Sequence, residues 1–165
     1  MAADDASWES ACAAASPLEK IVAHSPSGDM LEDDMTLTLA WRDGARTVLP
    51  WPPALVRRAD ALSAGGAACP GLGVVPAGAH ALAIVAAVDA RPGPDHLRIA
   101  LVDTHSHAVL DAIADFGEVP DDYPHRYAPG RLAFQAWREW HDDVPTAAWK
   151  DVVVAGGRLR AAWRP

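Results

Sequence analysis

The residues of this chain with the types and spacing for chemistry are Asp103-Thr-His-Ser-His107. Alternate side chains of an extended segment share a face, so Asp103, His105 and His107 would stand together. Two imidazoles and a carboxylate so placed can hold a divalent metal such as Zn²⁺. The metal lowers the pKa of its bound water and makes a nucleophile of it. Asp111, His125 and His141 are the side chains available to complete such a site.

An Asp-x-His-x-His run at the end of an apolar strand resembles the first metal-binding motif of amidohydrolase-type and related barrel hydrolases. The resemblance implies a metal-dependent hydrolase carried by Asp103, His105 and His107. It covers five residues. In that family the motif lies on the first strand, and later strands of a barrel of ~200 residues or more supply the other ligands. Here 58 residues follow His107 in a chain of 165. The expectation is therefore that Thr104–His107 simply turns one strand back onto the next. No metal and no cofactor are expected.

A second group is Asp121, Asp122, His125, His141, Asp142 and Asp143. It lacks the spaced Asp/Asn ladder, glycine and final Glu of a calcium loop, so it reads as a solvated acidic rim. Beside it stand Trp137 and Trp140. Tryptophan is enriched at interface hot spots with charge around the rim. Trp137, Trp140, His141, Asp142, Asp143, Asp121 and Asp122 are accordingly the candidate binding residues. The other tryptophans, Trp8, Trp41, Trp51, Trp149 and Trp163, read as core filling at strand ends.

The elements that must position these residues begin with the apolar middle. Leu82, Ile84, Ala86 and Val88 alternate, as do Leu97, Ile99 and Leu101, which predicts strands over Ala81–Asp89, Leu97–Asp103 and Ala108–Phe116. The intervening residues are apolar too, so this sheet should be covered on both sides. Thr36–Trp41 and Arg46–Trp51 flank an Asp-Gly turn and predict a hairpin, and Asp151–Ala155 and Arg158–Trp163 do the same around Gly156-Gly157. Arg131–His141 reads as a strand, although Ala133, Trp137 and Trp140 would also share a helix face. Helical turns are expected over Ser7–Ala15, Pro17–Ala23 (after a Ser16-Pro-Leu-Glu19 start signal) and Ala54–Ser63. The fold class expected is α+β and β-rich. Its mostly antiparallel sheet would have six or seven hairpin-linked strands, possibly sandwich-like, with two or three short helices. The chain reads as a single domain over 1–165, with a helical or loop segment over 1–35 and a long Gly/Pro loop over 65–79.

Composition narrows the function classes. Net charge is −8, only Lys20 and Lys150 are lysines, and no basic stripe shows in the sequence, so nucleic acid is set aside. No apolar run approaches the ~20 residues of a spanning helix. The chain starts Met1-Ala-Ala-Asp-Asp5 without the pattern of a signal peptide. Cys12 and Cys69 are either one disulfide of an oxidising compartment or two buried thiols. A periplasmic or secreted mature chain is expected ahead of a cytoplasmic one. The leading functional expectation is a non-catalytic protein-binding module, such as a small inhibitor or immunity-type protein, whose acids steer it onto a basic partner. An envelope accessory domain is the next reading, and the metal-dependent hydrolase the third.

Overall fold

Three antiparallel sheets stacked in layers build this protein, and period-two alternation in the sequence is what separates them. The computed structural model describes residues 7–25, 35–63, 68–90, 92–141 and 144–165. The first sheet contains β1 (Trp8–Ala11), β2 (Leu18–His24), β3 (Thr36–Trp41) and β4 (Arg46–Val48), in that order. In the central sheet β5 (Val56–Arg57) and β6 (Gly73–Pro76) both pair with one side of β7 (Ala81–Val88). Then follow β8 (His96–Asp103) and β9 (Val109–Glu118). The third sheet runs β10 (His125–Ala128), β11 (Arg131–His141), β12 (Val144–Ala155), β13 (Arg158–Trp163).

Strand alternation divides the core in two. Leu82, Ile84, Ala86 and Val88 of β7, with Ala100 and Val102 of β8, pack against Leu18, Ile21, Leu37, Leu39 and Trp41 of the first sheet. The opposite parity, Ala83, Val85, Ala87, Leu97, Ile99 and Leu101, packs with Phe116 against Leu132, Phe134, Ala136 and Val152 of the third sheet. β7 and β8 of the central sheet are thus buried on both faces, as their doubly apolar sequences require. Phe116 and Phe134 meet edge to face at 5.2 Å between ring centres, a favoured aromatic geometry. Lys150 enters this second core from β12 and donates to the Phe116 carbonyl at 2.6 Å, its ammonium lying 4.7 Å from the Phe116 ring centre and 5.1 Å from that of Trp163. Burial holds its pKa below the ordinary lysine value, against the pull of Asp115.

The expected short helices are absent. Among the described residues there are thirteen strands, one 3-10 turn (Asp60–Leu62) and no α-helix. Ser16 does cap, but a turn and not a helix: its hydroxyl accepts the Leu18 amide at 3.1 Å, and the chain then runs on as β2. Leu18, Ile21 and Ala23 are buried there, with a bulge between Leu18 and Lys20 that resets the alternation. A bulge in a short strand blurs the two-residue period that would have marked it. Trp8–Ala11 is likewise strand, and Ala54–Ser63 resolves into β5 and the 3-10 turn. The predicted Gly/Pro loop contains β6, because Gly73–Pro76 completes the row beside β7 that Val56–Arg57 begins. Part of that loop (65–67), and residues 26–34 before β3, lie outside the described residues. The hairpin turns are as expected, with Gly44, Gly156 and Gly157 all at positive φ.

Gly73 is packed too closely against the second core for a side chain. A Cβ there would sit 2.6 Å from the Tyr127 hydroxyl, 3.1 Å from Val85 Cβ and 3.2 Å from the Leu62 carbonyl oxygen. That hydroxyl donates to the same carbonyl at 2.8 Å, so it cannot retreat without losing its bond. Gly73→Ala should therefore cost about 1–3 kcal/mol, the range of core overpacking, read as a lower midpoint in urea. An unchanged midpoint would mean that Tyr127 swings away freely.

Candidate functional site

Asp103-Thr-His-Ser-His107 forms the turn between β8 and β9. Asp103 Oδ1 accepts the amides of His105 and Ser106, each at 2.8 Å, and these bonds, Ser106's foremost, hold its carboxyl below the usual carboxylate range. His107 takes φ +65° to complete the reversal. The two imidazoles then go to different neighbours. His105 Nε2 lies 2.8 Å from His80 Nδ1, whereas the His107 ring stacks on Trp41 at 4.3 Å, with Nε2 3.3 Å from Asp43 Oδ2. The strand ends at Asp103 and His105 lies within the turn, so the alternation that would have put the two imidazoles side by side does not extend to them. Asp111 is also engaged elsewhere, its Oδ2 accepting the Leu159 amide at 2.7 Å. That bond, ahead of the others, holds its pKa below the usual range. Among the described residues no cluster of three or more His, Cys, Asp or Glu side chains could hold a metal ion.

The acidic group separates as well. Asp121 lines an open cleft of about 370 Å³ with Arg57, Gly93, Pro94, Asp95 and Tyr123, while Asp122 is exposed on the same turn. His125 stacks on Tyr127 at 4.3 Å. Asp142 and Asp143 lie outside the described residues, and Trp140 and His141 are described only as backbone, paired with Pro145 and Val144.

Inside the cleft sits a charge group that sequence patterning misses. Arg57 Nη2 binds Asp89 Oδ2 at 2.9 Å and its Nε binds Asp95 Oδ1 at 3.1 Å, while the Tyr123 hydroxyl donates to Asp95 Oδ2 at 2.6 Å. Tyr123 adopts φ +48° to reach this position, a conformation that costs a non-glycine residue of order 1–3 kcal/mol. Desolvation, then the bond to Asp95, raises the Tyr123 pKa well above the ordinary phenol value. The three charged partners come from β5 and the two ends of the β7–β8 connection, and no motif in the sequence links them.

Trp137 belongs to a different arrangement, on the outer face of the third sheet. Inward residues of β11 alternate as Leu132, Phe134 and Ala136, so Arg131, Ala133, Gln135 and Trp137 point outward. Register places Trp149 opposite Gln135, Asp151 opposite Ala133 and Val153 opposite Arg131. Across β13, Ala162 and Arg160 extend the last two rows. Two guanidiniums approach the Trp149 ring from the two sides of the sheet, Arg126 of β10 at 4.8 Å and Arg164 at 5.6 Å. Arg164 also grips Asp151 through both carboxylate oxygens, at 2.6 and 3.2 Å. That bond chiefly, helped by the charges of Arg164 and Arg131, holds Asp151 below the usual carboxylate range against its partial burial.

Trp8, Trp41, Trp51 and Trp163 all pack into or against one of the two cores. Trp137 and Trp149 belong to neither. Reading Trp149 as core filling was therefore incorrect, and the signal that would have corrected it is the strand pairing: once β12 is registered on β11, its parity is outward. No protein-family model matches this chain, and no curated protein or solved structure matches it either. Function must be argued from the geometry alone.

Proposed function

We propose that this chain is a non-catalytic protein-binding module that docks its partner on the outer face of the third sheet. The observation that carries the reading is Trp149, turned away from both cores and flanked by Arg126 and Arg164, with Trp137 of the same face also belonging to neither core. Large aromatics and arginine are the residues that supply most binding energy at protein interfaces. Sheet strands hold them rigidly, so little ordering entropy opposes association. The hydrolase reading has less support, because His105 and His107 serve separate parts of the fold. The Cys12–Cys69 disulfide favours an exported setting, where the module acts as an inhibitor of a partner enzyme or as an accessory of an envelope assembly.

The test is site-specific photocrosslinking in the native cell. A crosslinking residue at Ala162, on the proposed face, should capture one defined protein, and Trp149→Ala should abolish capture while costing no more than about 2 kcal/mol of stability, the sum of its two cation–π contacts. The same residue at Val48, which is 61% exposed on the first sheet, should capture nothing in common with it. Capture from Val48 and not from Ala162 would move the docking face to the opposite layer.

A further inference from the structure

The charge of the proposed docking face is opposite to that of the protein. The chain carries −8 overall, yet Arg126, Arg131, Arg160 and Arg164 share this face and Asp151 is the one carboxylate among its described residues. We infer that the outer face of the third sheet takes an acidic, extended segment of a partner protein, whose carboxylates bind the guanidiniums that Asp151 does not neutralise. The inference rests on the docking reading above and specifies the chemistry of its occupant.

Asp151 shows how the face treats a carboxylate. Arg164 holds it with two bonds in the fork geometry that guanidinium and carboxylate share. Arg131 and Arg160 lie in one row across β11, β12 and β13, with Val153 between them, and Arg126 lies in the next row beside Ala133. Rows on one face of a sheet are two residues apart, about 7 Å along the strand. Alternate side chains of an extended peptide have the same spacing. A segment lying along the strands with acids at every second position would therefore meet these rows in step. Ala147 and Ala162, both exposed, leave its backbone room to approach, and Val153 gives it apolar ground.

A single-stranded nucleic acid is the competing polyanion, and the face suits it poorly. Base-stacking platforms need unoccupied aromatic rings, whereas Trp149 is already engaged by two guanidiniums. The remainder of the chain, acidic in sum, repels a long phosphate backbone.

The experiment is fluorescence anisotropy on the intact, oxidised chain, with a labelled peptide of alternating glutamate and serine as probe. Its glutamine-for-glutamate counterpart and a labelled oligothymidylate run in parallel. The glutamate peptide should bind, and weaken about tenfold or more as salt shields the charges. Binding should also fall about tenfold in the Arg131→Gln/Arg160→Gln double variant, whose thermal midpoint should match the parent because both side chains are exposed. No binding of the glutamate peptide, equal binding of the glutamine peptide, tighter binding of oligothymidylate, or an unaffected double variant would each overturn the inference. A basic partner crosslinked from Ala162 would defeat it too, and would leave the docking face standing.

Discussion

Reducing the Cys12–Cys69 bond should lower the stability of this protein by about 4 kcal/mol. The bond closes a loop between residues 57 apart in sequence, and in the chain-entropy account a loop of that length restricts the unfolded chain by about that much. For a chain of this size the melting temperature should fall by roughly 10 °C. Backbone and side-chain hydrogen bonds also fix the neighbourhood of the bond. Ala13 donates to the Ala68 carbonyl at 3.0 Å, Arg42 ties the Ala13 and Ser16 carbonyls at 2.9 and 2.7 Å, and Trp8 Nε1 reaches the Val56 carbonyl at 3.0 Å. The crosslink therefore joins the edge of the first sheet to the segment feeding β6, across two layers. Cys12→Ala/Cys69→Ala should behave like the reduced parent. A loss below ~1 kcal/mol in both, by urea unfolding, would show that those backbone bonds suffice without it.

The same crosslink marks a boundary of what the sequence reveals. Two cysteines far apart allow a bond or two buried thiols, and only the layering, which brings residues 12 and 69 together, decides between them. The central strands were legible because Leu82, Ile84, Ala86 and Val88, and then Leu97, Ile99 and Leu101, keep an unbroken period of two between clear turns. The first sheet was not legible for a local reason. Alanine-rich Trp8–Ala15 and the Ser16-Pro-Leu-Glu19 start signal carry genuine helix preference, and pairing of β2 with both β1 and β3 overrides it. Tertiary context wins because a short isolated helix is marginal in water. β6 was hidden by its glycines. At Gly73 the missing side chain is an adaptation to packing beneath Tyr127, not the sign of a loop.

The candidate site was half legible for a related reason. Trp137 could be singled out by its type, and its placement on β11 follows from the strand expected there. Trp149 lies just ahead of the strand segment expected at Asp151–Ala155, and β12 in fact begins at Val144. Without that extension nothing sets Trp149 beside Gln135, or Arg126 and Arg164 around it. Charge is equally opaque one residue at a time. The arginines look scattered along the chain, and pairing of β10 to β13 gathers four of them on one side. Composition gave the sign of the whole molecule, which is the wrong sign for this face.

Arg57→Ala should be the most damaging single change to a charged side chain outside that face, at about 2–3 kcal/mol. Asp89 and Asp95 expose only 4% and 12% of their side chains, and Arg57 is the cation that both of them bind. Burial is the largest influence on the guanidinium and works against its charge, yet the two carboxylates outweigh it and raise its pKa. Removing the arginine takes a charge-balancing partner from two poorly solvated carboxylates, and breaking a fully buried ion pair costs about 3–5 kcal/mol. The lower figure allows for solvent reaching Arg57, whose side chain is 39% exposed. Arg57→Lys keeps the charge but lacks the fork that spans both acids, so it should recover only part of the loss. Arg57→Ala/Asp95→Asn should be more stable than Arg57→Ala, because it removes the Asp95 charge that Arg57 balanced and keeps an oxygen for the Tyr123 hydroxyl. Urea unfolding at neutral pH ranks the three variants. If Arg57→Ala lies within ~0.5 kcal/mol of the parent, water and their other partners already satisfy both carboxylates, and the strained φ of Tyr123 must be maintained by something other than this ion group.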